Sequence, residues 1–330
     1  MDAPSTFSRS AVTVRSGHDF SQIKALVLNS VTSVHSRAAY NKALTDFLTW
    51  FMSGDPKQFN KATVQQWVSS LQAAGLAPAT INLRVSVIRK LALEAADNGY
   101  MDPQIAQGIL RARGVKRLGV RLGNWLTKEQ AEELLSAPDG KKLKGKRDRA
   151  ALAILLGCGL RRAELSDLMF SHMQQRDGRW AIVDMSGKGG KLRTIPMPAW
   201  AKMFVDQYVN AVVGAVDACV GALSTWPAPN ARVFRPMNNK GKFTGNVWLP
   251  QNVFEMVKRY GNRIGVEIKP HDLRRTFAQL ALKGKAALEQ IQLSMGHASI
   301  TTTERYLGVR QDLQDAPCDR LGLDINADEE

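Results

Sequence analysis

Four short stretches of the sequence set phosphate-handling residue types beside breaks in the chain. Gly159-Leu160-Arg161-Arg162-Ala163-Glu164-Leu165 places an arginine straight after a glycine break, at the start of a helix, with Glu164 one turn on where its carboxylate can orient the Arg161 guanidinium. Taken alone, this also describes a surface Arg–Glu pair. Gly187-Lys188-Gly189-Gly190-Lys191 puts Lys188 in a glycine-flanked turn, where its ammonium can approach a ligand closely. It lacks the spacing and the following helix of a nucleotide-binding loop, and a solubilising turn fits it as well. Pro270-His271-Asp272-Leu273-Arg274-Arg275 opens a helix with the apolar stripe Leu273, Phe277, Leu280 and Ala281. That leaves His271 and both arginines near a helix N-terminus, where backbone N–H groups favour an anion. Helical geometry brings Arg274 and Arg275 equally close to His271 and does not choose between them. Gly296-His297-Ala298-Ser299-Ile300-Thr301-Thr302-Thr303-Glu304-Arg305-Tyr306 ends one helix at a glycine and starts another with a Ser/Thr-rich cap. His297 and Tyr306 are nine residues apart across that junction, although a lone tyrosine there is ordinarily packing.

The elements that must position these residues are mainly helical. From Phe20 to Ile109 the text reads as four or so short helices: one over Ser36–Met52, one from near Thr63 to Ala74, and one from about Ala79 carrying Ile81, Val85, Ile88, Leu91 and Ala92. Thr63 and Thr80 are the expected caps, and Gly75 and Gly99 the expected stops. Arg84, Arg89 and Lys90 lie on other faces of the third helix. The stretch 111–124, with Arg111, Arg113, Lys116 and Arg117, has little hydrophobic periodicity and reads as a basic linker. Beyond it the spacing predicts helices at Lys128–Ala137, Arg147–Leu156 and Arg162–Met169. A β-hairpin of Trp180–Met185 and Lys191–Pro196 follows, then a helix at Ala199–Val216. A loop-rich stretch from about 217 to 248 holds one short strand at Arg232–Phe234, and helices dominate from Gln251 to Leu307. The expected fold class is mainly α with a small β-sheet (α+β). Its parts are an N-terminal arm at 1–19, a helical domain at 20–110, the linker at 111–124, a mixed domain at 125–310 and a tail at 311–330.

Charge bounds the function. The chain has 330 residues, 45 Lys and Arg against 30 Asp and Glu, and a net charge of +15. Seven of the acids and one base fall in residues 311–330, so residues 1–310 hold 44 bases against 23 acids, a surplus of +21. A folded body with that surplus expects a polyanion, most often nucleic acid. Cys158, Cys219 and Cys318 are an odd, scattered set with no C-x-x-C pair, which argues against a disulfide framework or a zinc site and for a reducing compartment. The longest fully apolar run, Ala150–Leu156, is too short to span a bilayer, and the N-terminus lacks the apolar core of a signal peptide. No basic amphipathic helix with a large apolar face stands out, so a membrane partner is not expected.

In order along the chain, Arg161, Lys188, His271 with Arg274, His297 and Tyr306 form a set that resembles the tyrosine recombinase (phage integrase) family over about residues 20–310. G-L-R-x-x-E-L, G-K-G-x-K, H-x-L-R and G-H-x-x-x-x-T-x-x-x-Y occur in the family's order and approximate spacing. The sequence departs from the pattern where Arg275 stands in place of a frequent second His, Cys158 in place of Thr, and Ser294-Met295 in place of Leu-Leu. The resemblance implies a two-domain clamp, in which 20–110 is a core-binding, SAM-like domain and 125–310 the catalytic domain. It implies site-specific recombination for integration, excision or resolution of a mobile element, with Tyr306 attacking a scissile phosphate to form a 3′-phosphotyrosyl link. Arg161 and Arg274 would grip the phosphate oxygens, Lys188 would protonate the leaving oxygen, His271 would assist proton transfer and His297 would donate a hydrogen bond, with Glu164 holding Arg161. Only the family pattern selects Arg274 over Arg275. Arg84, Arg89, Lys90, Arg111, Arg113, Lys116, Arg117, Lys191 and Arg275 are the expected DNA contacts. No cofactor and no metal is implied, because each step exchanges one phosphodiester for another. The implied partners are double-stranded DNA carrying specific sites, further copies of the chain in a homotetramer on synapsed DNA, and an accessory protein. The implied location is the cytoplasm of a bacterium, at the nucleoid, with a bacterial or phage gene. Two competing readings are a type IB topoisomerase, which relaxes DNA as a monomer, and a DNA-binding regulator without catalysis. The tail has enough apolar residues (Leu313, Leu321, Leu323, Ile325) to dock on a neighbouring copy.

Overall fold

The periodicities resolve into thirteen helices and a three-stranded sheet among the residues the structure describes. In this computed structural model those are residues 17–55, 57–116, 124–187, 190–216, 226–238 and 240–308, without the side chains of 17–19, His35, Ala215, Val216 and Arg305. The expectations for the arm, for Arg117, Lys188, Cys219 and Cys318, and for the tail with its docking residues lie outside them. The chain divides into two units, Met1–Val120 and Arg121–Glu330.

The first unit holds α1 (Gly17–Asn29), α2 (Val34–Met52), α3 (Lys61–Ala73), α4 (Pro78–Asp97) and α5 (Pro103–Leu110). α4 is the centre, packing against each of the other four. Its expected stripe, Ile81, Val85, Ile88, Leu91 and Ala92, is wholly buried. Beside it an aromatic cluster closes the core, with Phe47 edge-on to Trp67 at 4.9 Å and against Phe51 and Phe59 at 5.6 and 5.5 Å. The helix starts differ from expectation. Asn60 rather than Thr63 caps α3, its Oδ1 accepting from the Thr63 amide at 3.1 Å, while the Thr63 hydroxyl turns to the Gln58 carbonyl. α4 begins with Pro78 at its first turn, so Thr80 lies inside it, proline's fixed φ making a side-chain cap unnecessary. Gly75 and Gly99 do stop their helices, at φ +71° and +75°.

Residues 111–116, read from sequence as the start of a linker, are fastened to the first unit. Gln65 exchanges hydrogen bonds with the Arg113 backbone at 3.1 and 3.4 Å, Asn82 does the same with Val115 at 2.8 and 2.9 Å, and Arg89 donates to the Ala112 carbonyl. These side chains satisfy backbone groups that have no regular partner, which composition alone does not reveal.

The second unit holds α6 (Lys128–Ser136), α7 (Leu143–Gly157), α8 (Arg162–Asp167), β1 (Met173–Arg176), β2 (Arg179–Ser186), β3 (Leu192–Pro196), α9 (Ala199–Val216), α10 (Pro250–Arg263), α11 (Pro270–Lys283), α12 (Leu288–Met295) and α13 (Ile300–Leu307). The apolar run 150–156 lies in α7, buried along its whole length against α9, α11, α6 and α8. A helix apolar all round belongs inside a core, and no helix among the described residues is long and apolar enough to cross a membrane. The sheet is antiparallel in the order β1-β2-β3, with Ile182 opposite Met173 on one side and Ile195 on the other. β1 was not expected: Met-Gln-Gln-Arg shows no alternation, and pairing with β2 makes it a strand. The strand expected at Arg232–Phe234 is reduced to one bridge, Arg232 to Met169. Its neighbours nevertheless build core, since Trp226, Val233, Phe234, Met237 and Trp248 are buried in the main cluster.

Candidate active site

Arg161 sits at the N-cap of α8, and Glu164 folds back on it. One carboxylate oxygen accepts from the Arg161 amide at 2.8 Å and the other from its guanidinium at 2.6 Å. Glu164 is buried, whereas the Arg161 side chain is 34% exposed, so the arginine is anchored at its base and open at its end. The preceding Gly159 has φ +60°, and a β-carbon there would lie 2.7 Å from the Phe277 ring, so the break admits only glycine.

α11 presents His271 and Arg274 from its first turn. Its start is held by Pro270 and by Asp272, whose carboxylate accepts from the Lys269 amide at 2.9 Å. The Thr276 hydroxyl, one turn further, accepts from the Leu126 amide at 2.9 Å and ties α11 to the chain entering the unit. Arg274 is buried to 1% exposure, donating one terminal nitrogen to the Gly159 carbonyl and the other to the Met295 carbonyl. It thereby locks together the two glycine breaks that precede Arg161 and His297. Burial, with the Arg161 charge second, pushes its pKa down to about 10, which leaves it cationic at neutral pH. Arg275, its equal by helical geometry, goes elsewhere: its guanidinium lies over the Tyr306 ring at 4.8 Å.

α12 ends at Gly296, with φ +61°, and the turn delivers His297. His297 Nδ1 lies 2.9 Å from the hydroxyl of Thr303, which is fully buried. Desolvation, followed by the charges of Arg274 and Arg161, pushes the His297 pKa down to about 4, so the ring is neutral at physiological pH. His271 is also lowered, by desolvation and then by Arg275 and Arg274.

Tyr306, on α13, stands edge-on between the two histidines, with centroids 5.4 Å from His271 and 5.3 Å from His297. Its hydroxyl donates to the His271 carbonyl at 3.3 Å. Desolvation raises its pKa, opposed by the Arg274 and Arg275 charges. The neutral phenol is therefore the resting form, and the nearby guanidinium groups favour the phenolate.

Of the residues singled out from sequence, Arg161, Glu164, His271, Arg274, Arg275, His297 and Tyr306 converge in the second unit. Lys191 is exposed just past the β2–β3 turn. In the first unit the guanidinium of Arg84 pairs with Asp46 at 2.6 Å and that of Arg89 is spent on Ala112, while Arg111, Arg113 and Lys116 are exposed and Lys90 is half-buried. Two members were missed. Arg193, on β3, grips Glu164 from the side opposite Arg161, and Thr303 holds His297. Arg193 follows the Gly-Lys-Gly-Gly-Lys turn by two residues, but nothing local marks it, since its partners Glu164 and Ser294 are distant in sequence; Thr303 stood in plain view among three threonines. Among the described residues no group of three or more His, Cys, Asp or Glu is placed to hold a metal ion.

The phage integrase family model matches residues 124–312, and the N-terminal SAM-like domain model of the phage integrases matches residues 23–99. The chain belongs to the phage integrase family and is an enzyme of site-specific DNA recombination by the tyrosine recombinase mechanism. It is similar to tyrosine recombinase XerC of Thermodesulfovibrio yellowstonii, 27% identical over 279 residues that cover 84% of this chain and 86% of that protein. It is likewise 27% identical to tyrosine recombinase XerD of Vibrio cholerae over 281 residues, 82% of this chain and 85% of that one. In fold it is similar to the XerH site-specific recombinase bound to a palindromic difH substrate in a post-cleavage complex (TM-score 0.66, 20% identity, 89% of this chain and 82% of that one). The Tn1549 transposon integrase in complex with transposon right end DNA is equally similar (TM-score 0.66, 17% identity, 92% of this chain and 99% of that one).

Proposed function

We propose that Tyr306 is the nucleophile of this recombinase and that Arg161, Arg274, His271, His297 and Lys188 serve the same phosphate. The observation that carries this is Tyr306 itself: its phenol is held between two histidines whose pKa values are lowered, among guanidinium charges that favour the phenolate. In the cleavage step the Tyr306 oxygen bonds to phosphorus and the phosphorus–O5′ bond breaks. His271, neutral and adjacent, takes the phenolic proton. Lys188 gives a proton to the departing 5′-oxygen, a role that rests on the family pattern. The non-bridging oxygens gather charge in the transition state. Arg161, open at its end, binds them through N–H donors that Glu164 orients, and Arg274 adds the donors its two carbonyl contacts leave over. With the Thr303 hydroxyl donating to Nδ1, the His297 proton sits on Nε2 and faces the phosphate as a hydrogen-bond donor. A 5′-hydroxyl of the partner strand then displaces the tyrosine, and since bonds are exchanged one for one, no cofactor is consumed.

The remaining proposals concern the setting. The substrate is duplex DNA with specific sites, and Arg111, Arg113, Lys116, Lys191 and Lys90, with Arg117, contribute to holding it. Strand exchange takes place in a homotetramer in the cytoplasm, with an accessory protein acting on the assembly. The domain limits 20–110 and 125–310 serve core binding and catalysis.

The test is covalent trapping. The protein is incubated with a nicked duplex carrying the sequence it enriches from a randomised pool, and the products are examined for a protease-sensitive protein–DNA adduct. The adduct is expected with the native chain and absent with Tyr306→Phe, at unchanged duplex affinity. An adduct that survives the substitution refutes the nucleophile.

A further inference from the structure

Arg193 makes three directed contacts from one side chain. Nη1 and Nη2 donate to the two oxygens of Glu164 at 3.0 and 2.7 Å, and Nε donates to the Ser294 carbonyl at 3.0 Å. The side chain is 8% exposed. Two glycines record how tightly it is enclosed. A β-carbon on Gly296 would lie 2.8 Å from Arg193 Cδ, and one on Gly187 would lie 3.2 Å from Nη1. Four segments therefore meet on this one guanidinium: β3, which carries it; the β2–β3 turn at Gly187; α8 through Glu164; and the end of α12 just before His297.

We propose that Arg193 is a positioning residue of the recombination site, a strut that sets Arg161 through Glu164 and sets His297 through Ser294 and Gly296. The proposal rests on the catalytic reading given above and adds a residue to it. Glu164 is shared by two guanidinium groups that approach it from different sides. With Arg193 in place the carboxylate is fixed, and Arg161 is bound through one terminal nitrogen with the rest of its donors open. Without Arg193 the carboxylate is free to turn and take both Arg161 terminal nitrogens, withdrawing them from the phosphate. The contact with Ser294 fixes the carbonyl three residues before His297, beside the Met295 carbonyl that Arg274 holds, so the α12 end of the α12–α13 turn is tied to two arginines of the site. Lysine cannot replace this arrangement. A single ammonium reaches Glu164 or Ser294, whereas the planar fork of arginine serves both at once.

The experiment uses the full chain and the same nicked duplex enriched from a randomised pool. Single-turnover adduct formation, duplex affinity and thermal unfolding are measured for the native chain, Arg193→Lys, Arg193→Gln, Glu164→Gln and the Arg193→Lys/Glu164→Gln double variant. Arg193→Lys is expected to slow cleavage by roughly tenfold or more while duplex affinity stays within about twofold, the signature of an interaction used in the transition state. Because the strut acts through Glu164, the double variant is expected to be no more than about twofold slower than the slower single variant. Cleavage by Arg193→Lys at the native rate overturns the proposal. So does a double variant whose defect is the product of the two single defects, or a loss of cleavage that only tracks the fraction of unfolded protein. A native chain that forms no Tyr306-dependent adduct overturns the catalytic reading itself, a result distinct from any of these.

Discussion

Among its described residues the second unit contains two buried carboxylates, each approached by two arginines, and they serve opposite ends. Asp148 is fully buried on α7. One oxygen accepts from Arg147 Nε and Nη2 at 3.0 and 2.6 Å, and the other accepts from Arg259 Nη2 at 2.9 Å and the Tyr260 hydroxyl at 3.0 Å. Arg147 in turn donates to the Arg235 carbonyl and lies over the Trp248 ring at 4.2 Å. This network joins α7, α10 and the 226–248 segment, and its core members are turned inward on one another. Each carboxylate has one partly exposed arginine, Arg259 at 42% and Arg161 at 34%, and the two differ in what surrounds it: Arg259 lies over the Tyr260 ring at 5.0 Å, within its own network, whereas the Arg161 charge acts on Arg274, His297 and Tyr306. The first network holds elements together, while the second sets a charge beside Tyr306 and the two histidines. The surroundings of the exposed guanidinium, not its burial and not the ion pair itself, separate the two.

Substitutions on either side sharpen this contrast. The largest effect is expected from Arg161→Ala, which should lower single-turnover cleavage on the order of 10³-fold, as for other arginines that meet transition-state charge, with duplex affinity nearly unchanged. Equal loss of binding and cleavage would reduce Arg161 to a simple electrostatic contact. Asp148→Asn should act the other way, costing about 3–5 kcal/mol of stability by uncoupling a buried ion pair, read as a drop in denaturant midpoint. Cleavage by the protein that remains folded should be unaltered, and a specific cleavage defect would merge the two networks into one.

The histidine gives a smaller, pH-dependent effect. His297 has a folded pKa of about 4 against an ordinary 6.5, so the unfolded chain binds its proton first and stability falls as the pH drops from about 6.5 toward 4. The depressed carboxyl of Glu164 adds to this acid limb: burial alone would raise its pKa, but the bonds from Arg193 and Arg161 outweigh that and lower it below 4.5, so the stability it contributes above 4.5 is lost as acid protonates it. His297→Gln should recover of order 1 kcal/mol at pH 4.5 relative to pH 7, measured by chemical unfolding at the two pH values. An unchanged pH dependence would show that the ring is not held neutral. The smallest effect is expected at the exposed pair of Lys128 and Glu132, where Lys128→Ala should shift stability by less than about 0.5 kcal/mol. A larger loss there would mean that surface pairs, and not only enclosed ones, matter in this unit.

The residues of the motifs were legible because they lie at local breaks. Gly159 before Arg161 and Gly296 before His297 are positions where a β-carbon would collide with Phe277 or Arg193, and such constraints leave glycine in the text. The helices of the first unit were legible from the stripe on α4, and their caps less so, since Asn60 and Pro78 took the places expected of Thr63 and Thr80. The Asp148 network, the strut at Arg193 and the strand β1 were not legible. The partners of the first two are remote in sequence, Arg193 and Ser294 by 101 positions and Asp148 and Tyr260 by 112, while β1 pairs with the neighbouring β2 and lacks an alternating pattern.

Sequence alone therefore determined which side chains are candidates for the chemistry and on which kind of element each is mounted, because spacing and backbone constraint act within a few residues. The family pattern selected Arg274 over Arg275, and tertiary structure supplied the physical difference: Arg274 is buried against two carbonyls and Arg275 is laid over the Tyr306 ring. It also decided that Arg193 is enclosed against Glu164 while Arg161 stays partly open beside the histidines and Tyr306. These are questions of burial and orientation, set by side chains that approach from distant parts of the chain, and no local pattern encodes them.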